Sequence, residues 1–232
     1  MKTVLVTGGV RGIGKSISLA FLKKDYRVCA VYSRDEESAL AVKNQGVETY
    51  KADVSKESDV KALFEKIGNV DVLVNNAGIS LIKQIQDVTA SEFERVMSVN
   101  VGGAFLCARE AAKGMIEKKS GLIVNISSVW GEVGGSCESV YSASKAALIG
   151  FSKALAKELG WSGIRVNSIS PGVIDTPMNA HFTKEELAAL CDEIPMGRLG
   201  LGEDVAKAVL YLEENDYVTG IDLPVNGGFS IV

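Results

Sequence analysis

The 232-residue chain holds a single histidine, four prolines and four cysteines, and these scarcities exclude several chemistries before any motif is read. With His181 alone, a histidine-rich metal site cannot be assembled and a Ser-His-Asp hydrolase is very hard to build. A lone histidine in a loop reads first as a solvated surface group, with substrate contact as the sharper alternative. Cys29, Cys107, Cys137 and Cys191 are widely scattered with no Cys-x-x-Cys pair, so reduced structural thiols are expected instead of zinc or disulfides. All four prolines fall after residue 170, and there is no internal repeat, low-complexity tract or linker, so residues 1–232 read as one domain. No apolar run reaches the roughly 18 residues needed to span a bilayer. The N-terminus enters a strand at once, which leaves no room for a signal peptide and makes a cytoplasmic protein the expectation. A net charge of −4 argues against a nucleic-acid or anionic-membrane partner. What remains is ordinary for a globular protein with ample core: 47% hydrophobic and 23% charged residues.

Apolar strand-like runs recur near 3–7, 27–32, 47–50, 70–75, 121–127, 164–170 and 221–225. Helical patterns lie between them, near 12–24, 36–45, 56–67, 90–118, 138–160 and 202–213. Regular alternation with short connections predicts a doubly wound parallel sheet of about seven strands with helices on both faces. The least regular stretch is about 173–200, with Pro177, Pro195 and a weak helical pattern over Lys184–Leu190. It follows the carboxyl end of a strand, where ligands sit in open sheets, so a substrate lid is expected there and a surface excursion is the plainer reading.

The first strand runs into Gly8-Gly-Val-Arg-Gly-Ile-Gly14 and then a helical pattern, an arrangement that aims backbone N–H groups and a helix N-terminus at a phosphate. Two literal readings compete. Gly9 through Lys15-Ser16 matches the triphosphate-binding pattern GxxxxGK[ST]. Gly8, Gly12 and Gly14 give GxxxGxG, a wider variant of the dinucleotide fingerprint. A triphosphatase needs an acidic residue ending a later strand to organise magnesium. The later strands here end in Asn75-Asn76 and Ser127-Ser128, so the dinucleotide reading is favoured and Lys15 becomes a solvent-facing helix residue.

Tyr141 and Lys145 stand four apart in a helical pattern and share one face. A free phenol, with a pKa of about 10, is a poor proton donor or acceptor near neutrality. A fixed ammonium beside it is expected to bring that pKa toward the working pH. A serine hydroxyl upstream, Ser128 or its rival Ser127, can hold a carbonyl oxygen while the tyrosine protonates it.

With the glycine loop, Asn75-Asn-Ala-Gly78, Asn100, Ser128, Tyr141 and Lys145 in this order, the chain resembles the short-chain dehydrogenases/reductases nearly end to end. Thr7 through Gly14 is similar to that family's TGxxxGxG motif. Within it, Tyr141–Phe151, Pro171-Gly172, Pro195–Gly200 and Val225-Asn-Gly-Gly228 look most like bacterial 3-oxoacyl-[acyl-carrier-protein] reductases. The resemblance implies a Rossmann-like fold and the following roles. Tyr141 would exchange a proton with the substrate oxygen, Lys145 would tune it and hold the nicotinamide ribose, and Ser128 would bind the oxygen. Asn100 would position a water in a relay with Lys145. The interval between 128 and 141 is the family's usual one, which selects Ser128 over Ser127. Asn76, Ala77 and Gly78 would line the cofactor's ribose side and Asp53 and Val54 its adenine. Gly8, Arg11, Gly12, Ile13, Gly14, Pro171, Gly172, Val173 and Thr176 would complete the cofactor contacts. Plainer readings stand beside two of these: Asn100 as a helix-internal group bonded to backbone, and Asp53 as an N-cap.

No carboxylate falls at Tyr32, where an NAD-selective site wants one, while Ser33-Arg34 follow and Arg11 is near. Arginines suit a 2′-phosphate, so NADP(H) is expected over NAD(H); a slipped alignment would bring Asp35 or Glu36 into range. Trp130, Val133, Val173 and Met178 suggest an apolar substrate pocket. The resemblance implies a 3-oxoacyl thioester, with acyl carrier protein as partner and Lys118 and Lys119 as part of a basic docking patch. The Ser162-Gly163 turn lacks the basic residue such reductases often carry there. Sugars, small ketones, quinones and steroid-like alcohols stay open. So does a catalytically idle module that binds the nucleotide, although none of the four reacting residues is missing. A homotetramer, with the helices near 90–118 and 138–160 at its interfaces, is the family expectation.

Overall fold

The computed structural model describes residues 1–177 and 183–231. The chain alternates β1 (Thr3–Thr7), α1 (Gly12–Leu22), β2 (Arg27–Tyr32), α2 (Glu36–Lys43), β3 (Glu48–Lys51), α3 (Glu57–Ile67) and β4 (Val72–Asn75). It continues through α4 (Ala90–Met97), a π-helical turn (Ser98–Gly102), α5 (Gly103–Lys118) and β5 (Gly121–Ile126). Then come α6 (Val129–Val133), α7 (Ser139–Leu159), β6 (Ile164–Pro171), α8 (Lys184–Glu193), α9 (Gly202–Glu214) and β7 (Asp222–Val225). The strands form one parallel sheet in the order β3-β2-β1-β4-β5-β6-β7. The order reverses between β1 and β4, which opens a crevice at their carboxyl ends.

Both faces of this sheet are covered, which is why β1 is buried at every position instead of alternating. Successive residues of β1 feed opposite layers. Val4 and Val6 pack with Ile17, Phe21, Val205, Val209 and Leu212 under α1 and α9. Leu5 packs with Leu63, Leu73, Cys107, Met115 and Val166 under α3, α5 and α7. Cys29 and Cys107 are buried free thiols, and burial pushes them up to about 11 and about 12. Among the described residues no group of three or more metal-ligating side chains forms, and no helix is long and apolar enough to cross a membrane.

The expected strands and helices are present, with three departures. The helix read over 90–118 is two helices joined by the π turn at Ser98–Gly102. A short helix, α6, follows β5 and was not expected. Lys118 lies at the wrong end of the molecule for a docking patch beside the cleft. Because α5 runs antiparallel to the strands, its last turn reaches their amino ends, where Lys118 pairs with Asp71 at 3.0 Å just before β4. Lys119 follows in the left-handed turn that closes α5. The excursion after β6 is pinned at its base: Asp175 N–H donates to Gly200 O at 2.8 Å and Gly200 N–H to Val173 O at 2.9 Å. Met178 and His181 lie outside the described residues.

Candidate active site

The glycine loop is held by packing that only glycine permits. A Cβ on Gly14 would stand 2.2 Å from Gly8 O and 2.5 Å from Asn76 Nδ2, so Gly14 sits beneath the loop and does not line the cleft above it. Asn76 laces the loop to the end of β4, its amide donating to Thr7 O at 3.0 Å and Gly8 O at 3.1 Å. Thr7 Oγ1 returns the contact by accepting from the N–H groups of Asn76 and Ala77, both at 3.0 Å. The triphosphate reading fails locally, since Ser16 Oγ turns to Glu203 on α9 at 3.0 Å. Asn75, where an acidic residue would be required, donates to Asn125 Oδ1 at 2.9 Å.

Above the loop lies a cleft of about 670 Å³, lined by Gly8, Arg11, Gly12, Ile13, Ser33, Arg34, Asp53, Val54, Asn76, Ala77, Gly78 and Thr176. This brings together most of the residues expected to hold a dinucleotide, with the N-terminus of α1 facing in. Pro171, Gly172 and Val173 line the adjoining smaller cavity. Asp53 is not a helix cap, because Lys56 occupies that position of α3. Burial opposes ionisation of Asp53, but the N–H and hydroxyl of Ser55 and the charge of Arg95, 3.7 Å away, hold its carboxyl below the usual range. Arg11 faces Asp35 at 3.8 Å, and Asp35 caps α2 by accepting from Ser38 N–H at 3.0 Å. Arg95, one turn before the π segment, lines the same cleft and was missed in the sequence.

At the inner end of the cleft, a cavity of about 180 Å³ collects Ser128, Tyr141 and Lys145. Tyr141 and Lys145 project from one face of α7 and are 8% and 4% exposed. Ser128, two residues past β5, caps α6, accepting from Trp130 N–H at 3.2 Å, and its hydroxyl is a hydrogen-bond neighbour of the Tyr141 hydroxyl. Ser127 turns away and donates to Lys145 O at 2.8 Å. Lys145 Nζ donates to Ile126 O at 2.8 Å and lies 5.6 Å from the centre of the Tyr141 ring.

The π turn carries Asn100 inward, where it is 1% exposed. Its Oδ1 accepts from Ile79 N–H at 2.9 Å, and its Nδ2 donates to Ile79 O at 3.0 Å and to Ser144 Oγ at 2.9 Å. Ser144 in turn donates to Tyr141 O at 2.7 Å. Asn100 is therefore bonded to backbone, as the plainer reading held, and also stands beside the lysine. A Cβ on Gly78 would lie 3.3 Å from Asn100 Oδ1 and 3.4 Å from Lys145 Nζ, so both groups converge on this backbone.

Burial dominates the electrostatics. It pushes Tyr141 up to about 12, with the Ser128 hydroxyl pulling the other way and the charge of Glu138 adding to the rise. The same burial brings Lys145 down to about 8. The phenol stands above its ordinary value, not below it as adjacency to a lysine suggested. The ammonium is the group poised near neutrality.

The rest of the inner cavity is mainly apolar, with Ile82, Trp130, Ile174 and Leu190 on its walls and Ser80 and Glu138 as polar members. Val133 does not join it and is exposed. Ile82, Leu190, Glu138 and Ser144 were not picked out in the sequence. Only Ser144 carried a signal, as the residue before Lys145 in the helical run.

A glycine-cradled cleft at the strand-order reversal, ending on a serine, a tyrosine and a lysine, marks a dinucleotide-dependent oxidoreductase. A family model described as short chain dehydrogenase matches residues 2–187. The chain is 40% identical over 235 aligned positions to a protein named carbonyl reductase family member 4 from Xenopus laevis, covering 99% of this chain and 98% of that one. It is 39% identical to the uncharacterized oxidoreductase YmfI of Bacillus subtilis, covering 98% of each chain. It is 37% identical to the 3-oxoacyl-[acyl-carrier-protein] reductase FabG of Staphylococcus aureus, covering 98% of this chain and 97% of that one. The chain belongs to the short-chain dehydrogenase/reductase family, whose cofactor is a nicotinamide dinucleotide.

Proposed function

We propose that this oxidoreductase reduces a carbonyl with NADPH, with Tyr141 as the proton donor. The observation that carries the reading is the burial of Tyr141 against Ser128 and Lys145 at the inner end of the glycine-cradled cleft. The cofactor supplies the hydride. Tyr141, kept protonated by burial, gives its proton to the substrate oxygen while Ser128 holds that oxygen by a hydrogen bond. Lys145 supplies positive charge next to the phenolate that forms, and its ammonium reaches toward the ribose side at Gly78. Asn100 fixes the Ile79 backbone and the Ser144 hydroxyl, which holds both sides of the lysine in register, and it positions a water for the return of the proton. Gly8, Gly12 and Ile13 would hold the pyrophosphate, Asp53 and Val54 the adenine, Asn76, Ala77 and Gly78 the riboses, and Pro171, Gly172, Val173 and Thr176 the nicotinamide end. Arg34 and Arg11, both on the cleft, favour a 2′-phosphate and hence NADP(H) over NAD(H).

For the substrate, a 3-oxoacyl thioester fits an apolar wall of Ile82, Trp130, Ile174 and Leu190, and the FabG relative bears that activity in its name. The segment 173–200 would act as its lid. The carrier would be acyl carrier protein, and the assembly a homotetramer through α4–α5 and α7; exposed Phe93, Phe105 and Ile116 on α4 and α5 support the latter. The test is loss of NADPH absorbance with acetoacetyl thioesters of acyl carrier protein and of coenzyme A, beside NADH and simple ketones. Turnover of the thioester with NADPH, falling roughly 10²- to 10⁴-fold in Tyr141→Phe, is expected. An unchanged rate in that variant rejects the mechanism, and turnover of simple ketones alone rejects the thioester.

A further inference from the structure

The wall of the inner cavity is tied to the far edge of the sheet by groups that the reaction proposed above does not use. Trp130, on that wall, packs edge-to-face on Phe229 with ring centres 5.5 Å apart. Two residues further along α6, Glu132 accepts a long bond of 3.4 Å from Ser230 Oγ. β7 contributes Asp222, whose Oδ2 accepts from Ser170 Oγ at 2.7 Å. Among the described residues the other oxygen, Oδ1, is buried without a partner, and so is the hydroxyl of Ser168, which is the register partner of Asp222 on β6. The carboxyls of Glu132 and Asp222 are hydrogen-bond neighbours.

Two carboxylates in contact and partly withdrawn from water do not both stay ionised. A single proton between them resolves the repulsion and gives Asp222 Oδ1 the donor it lacks. We propose that Glu132 and Asp222 share one proton, and that this proton clasps α6 and the C-terminal segment Asn226–Ile231 to the sheet, making Glu132 a positioning residue for the Trp130 wall of the substrate cavity. Glu132 donates to Asp222 Oδ1, Ser170 donates to Oδ2, and Ser230 donates to Glu132. Loss of the proton sets two negative charges face to face and releases α6, with Trp130 and Phe229 following.

Burial, then the hydrogen bond and the charge of Asp222, raise Glu132 to about 7, so release falls in the neutral range. Among the described residues, the elements packed on α6 bring few other ionisable groups near. These are Glu138, Tyr141 and Lys145 at the start of α7, while Arg165 bonds Leu212 O at the opposite end of β6. The Asn226–Ile231 segment holds none. The reading of Trp130 as a substrate wall rests on the function proposed above, but the test does not depend on turnover.

Trp161 is 98% exposed, so Trp161→Phe leaves Trp130 as the single tryptophan reporter. Emission of Trp130 and the melting temperature of the full chain are followed from pH 5 to 9 in that background. A carboxyl raised in the folded state binds its proton where the unfolded chain has released it. The stability it contributes is full below the ordinary carboxylate range and is lost as pH rises through about 7. The expected result is a red shift of Trp130 emission with a midpoint near 7, together with a falling melting temperature. Glu132→Gln, whose amide donates to Asp222 at every pH, is expected to flatten both curves. Asp222→Asn donates from the other side and tests the same point where the first variant fails to fold. A Trp130 emission that ignores pH, or one whose transition survives in both variants, overturns the proposal.

Discussion

Burial acts in opposite directions on the two ionisable groups of α7: it keeps Tyr141 a phenol and eases neutralisation of Lys145. On the proposed mechanism the pH dependence of carbonyl reduction follows the ammonium, because the phenol stays protonated across the neutral range. The reductase rate is expected to fall as pH rises through about 8, where Lys145 loses its charge, well below the titration of Tyr141. The same group has a stability signature of opposite sense. Its folded value lies below its ordinary one, so charging it opposes folding below about 8, and that cost is relieved as pH rises toward the ordinary lysine range. Subtracting the melting curve of Lys145→Met from that of the wild type over pH 7–10 isolates this rise, and a flat difference would refute it. Tyr141, Lys145 and Ser128 were legible because their chemistry depends on residue type and short spacing. The carbonyls that fix Lys145 and Asn100, Ile126 O and Ile79 O, were not, because a backbone carbonyl has no sequence signature.

At the level of elements, the π turn at Ser98–Gly102 and the one-turn helix α6 do what uninterrupted helices could not. The first delivers Asn100 to Ile79 and Ser144, and the second begins at the Ser128 cap and sets Trp130 on the cavity. Removing the Ser144 hydroxyl strips partners from both Asn100 and Tyr141 O. Ser144→Ala is expected to lose about 1–3 kcal/mol of unfolding free energy, read by denaturant titration, since it leaves buried polar groups unsatisfied. Neither element was visible beforehand. No proline interrupts the apolar pattern through residues 90–118, so nothing in it marks the π turn, and five residues are too few for α6 to show a period.

Across the whole molecule, strand–helix alternation made the parallel sheet legible, because a sheet covered on both faces demands unbroken apolar strands. The excursion after β6 lacks such a period, and its irregularity, its two prolines and its place at a strand's carboxyl end are what marked it. Cofactor choice is tested at this scale, since the cleft draws on α1, β2 and α4 together. Arg34→Ala is expected to weaken NADPH binding by roughly tenfold or more, the worth of a charge-assisted hydrogen bond, while NADH binding holds. Equal losses for the two would remove the 2′-phosphate argument. Light scattering at micromolar concentration should return four copies, and a clean monomer would refute the interface reading of α4–α5 and α7.

The pairing of Val173 and Asp175 with Gly200 has a consequence of another kind. Because the two ends of that excursion meet and bond each other, everything between them is an insert on a closed neck. Its closure is established by backbone alone, and lengthening such a loop costs little, about 0.6 kcal/mol per doubling. If the segment acts as the proposed lid, substrate preference would be carried on an exchangeable cassette. A lineage, or an experimenter, can replace the cassette while the sheet, the glycine loop and the Ser128–Tyr141–Lys145 cluster stay as they are.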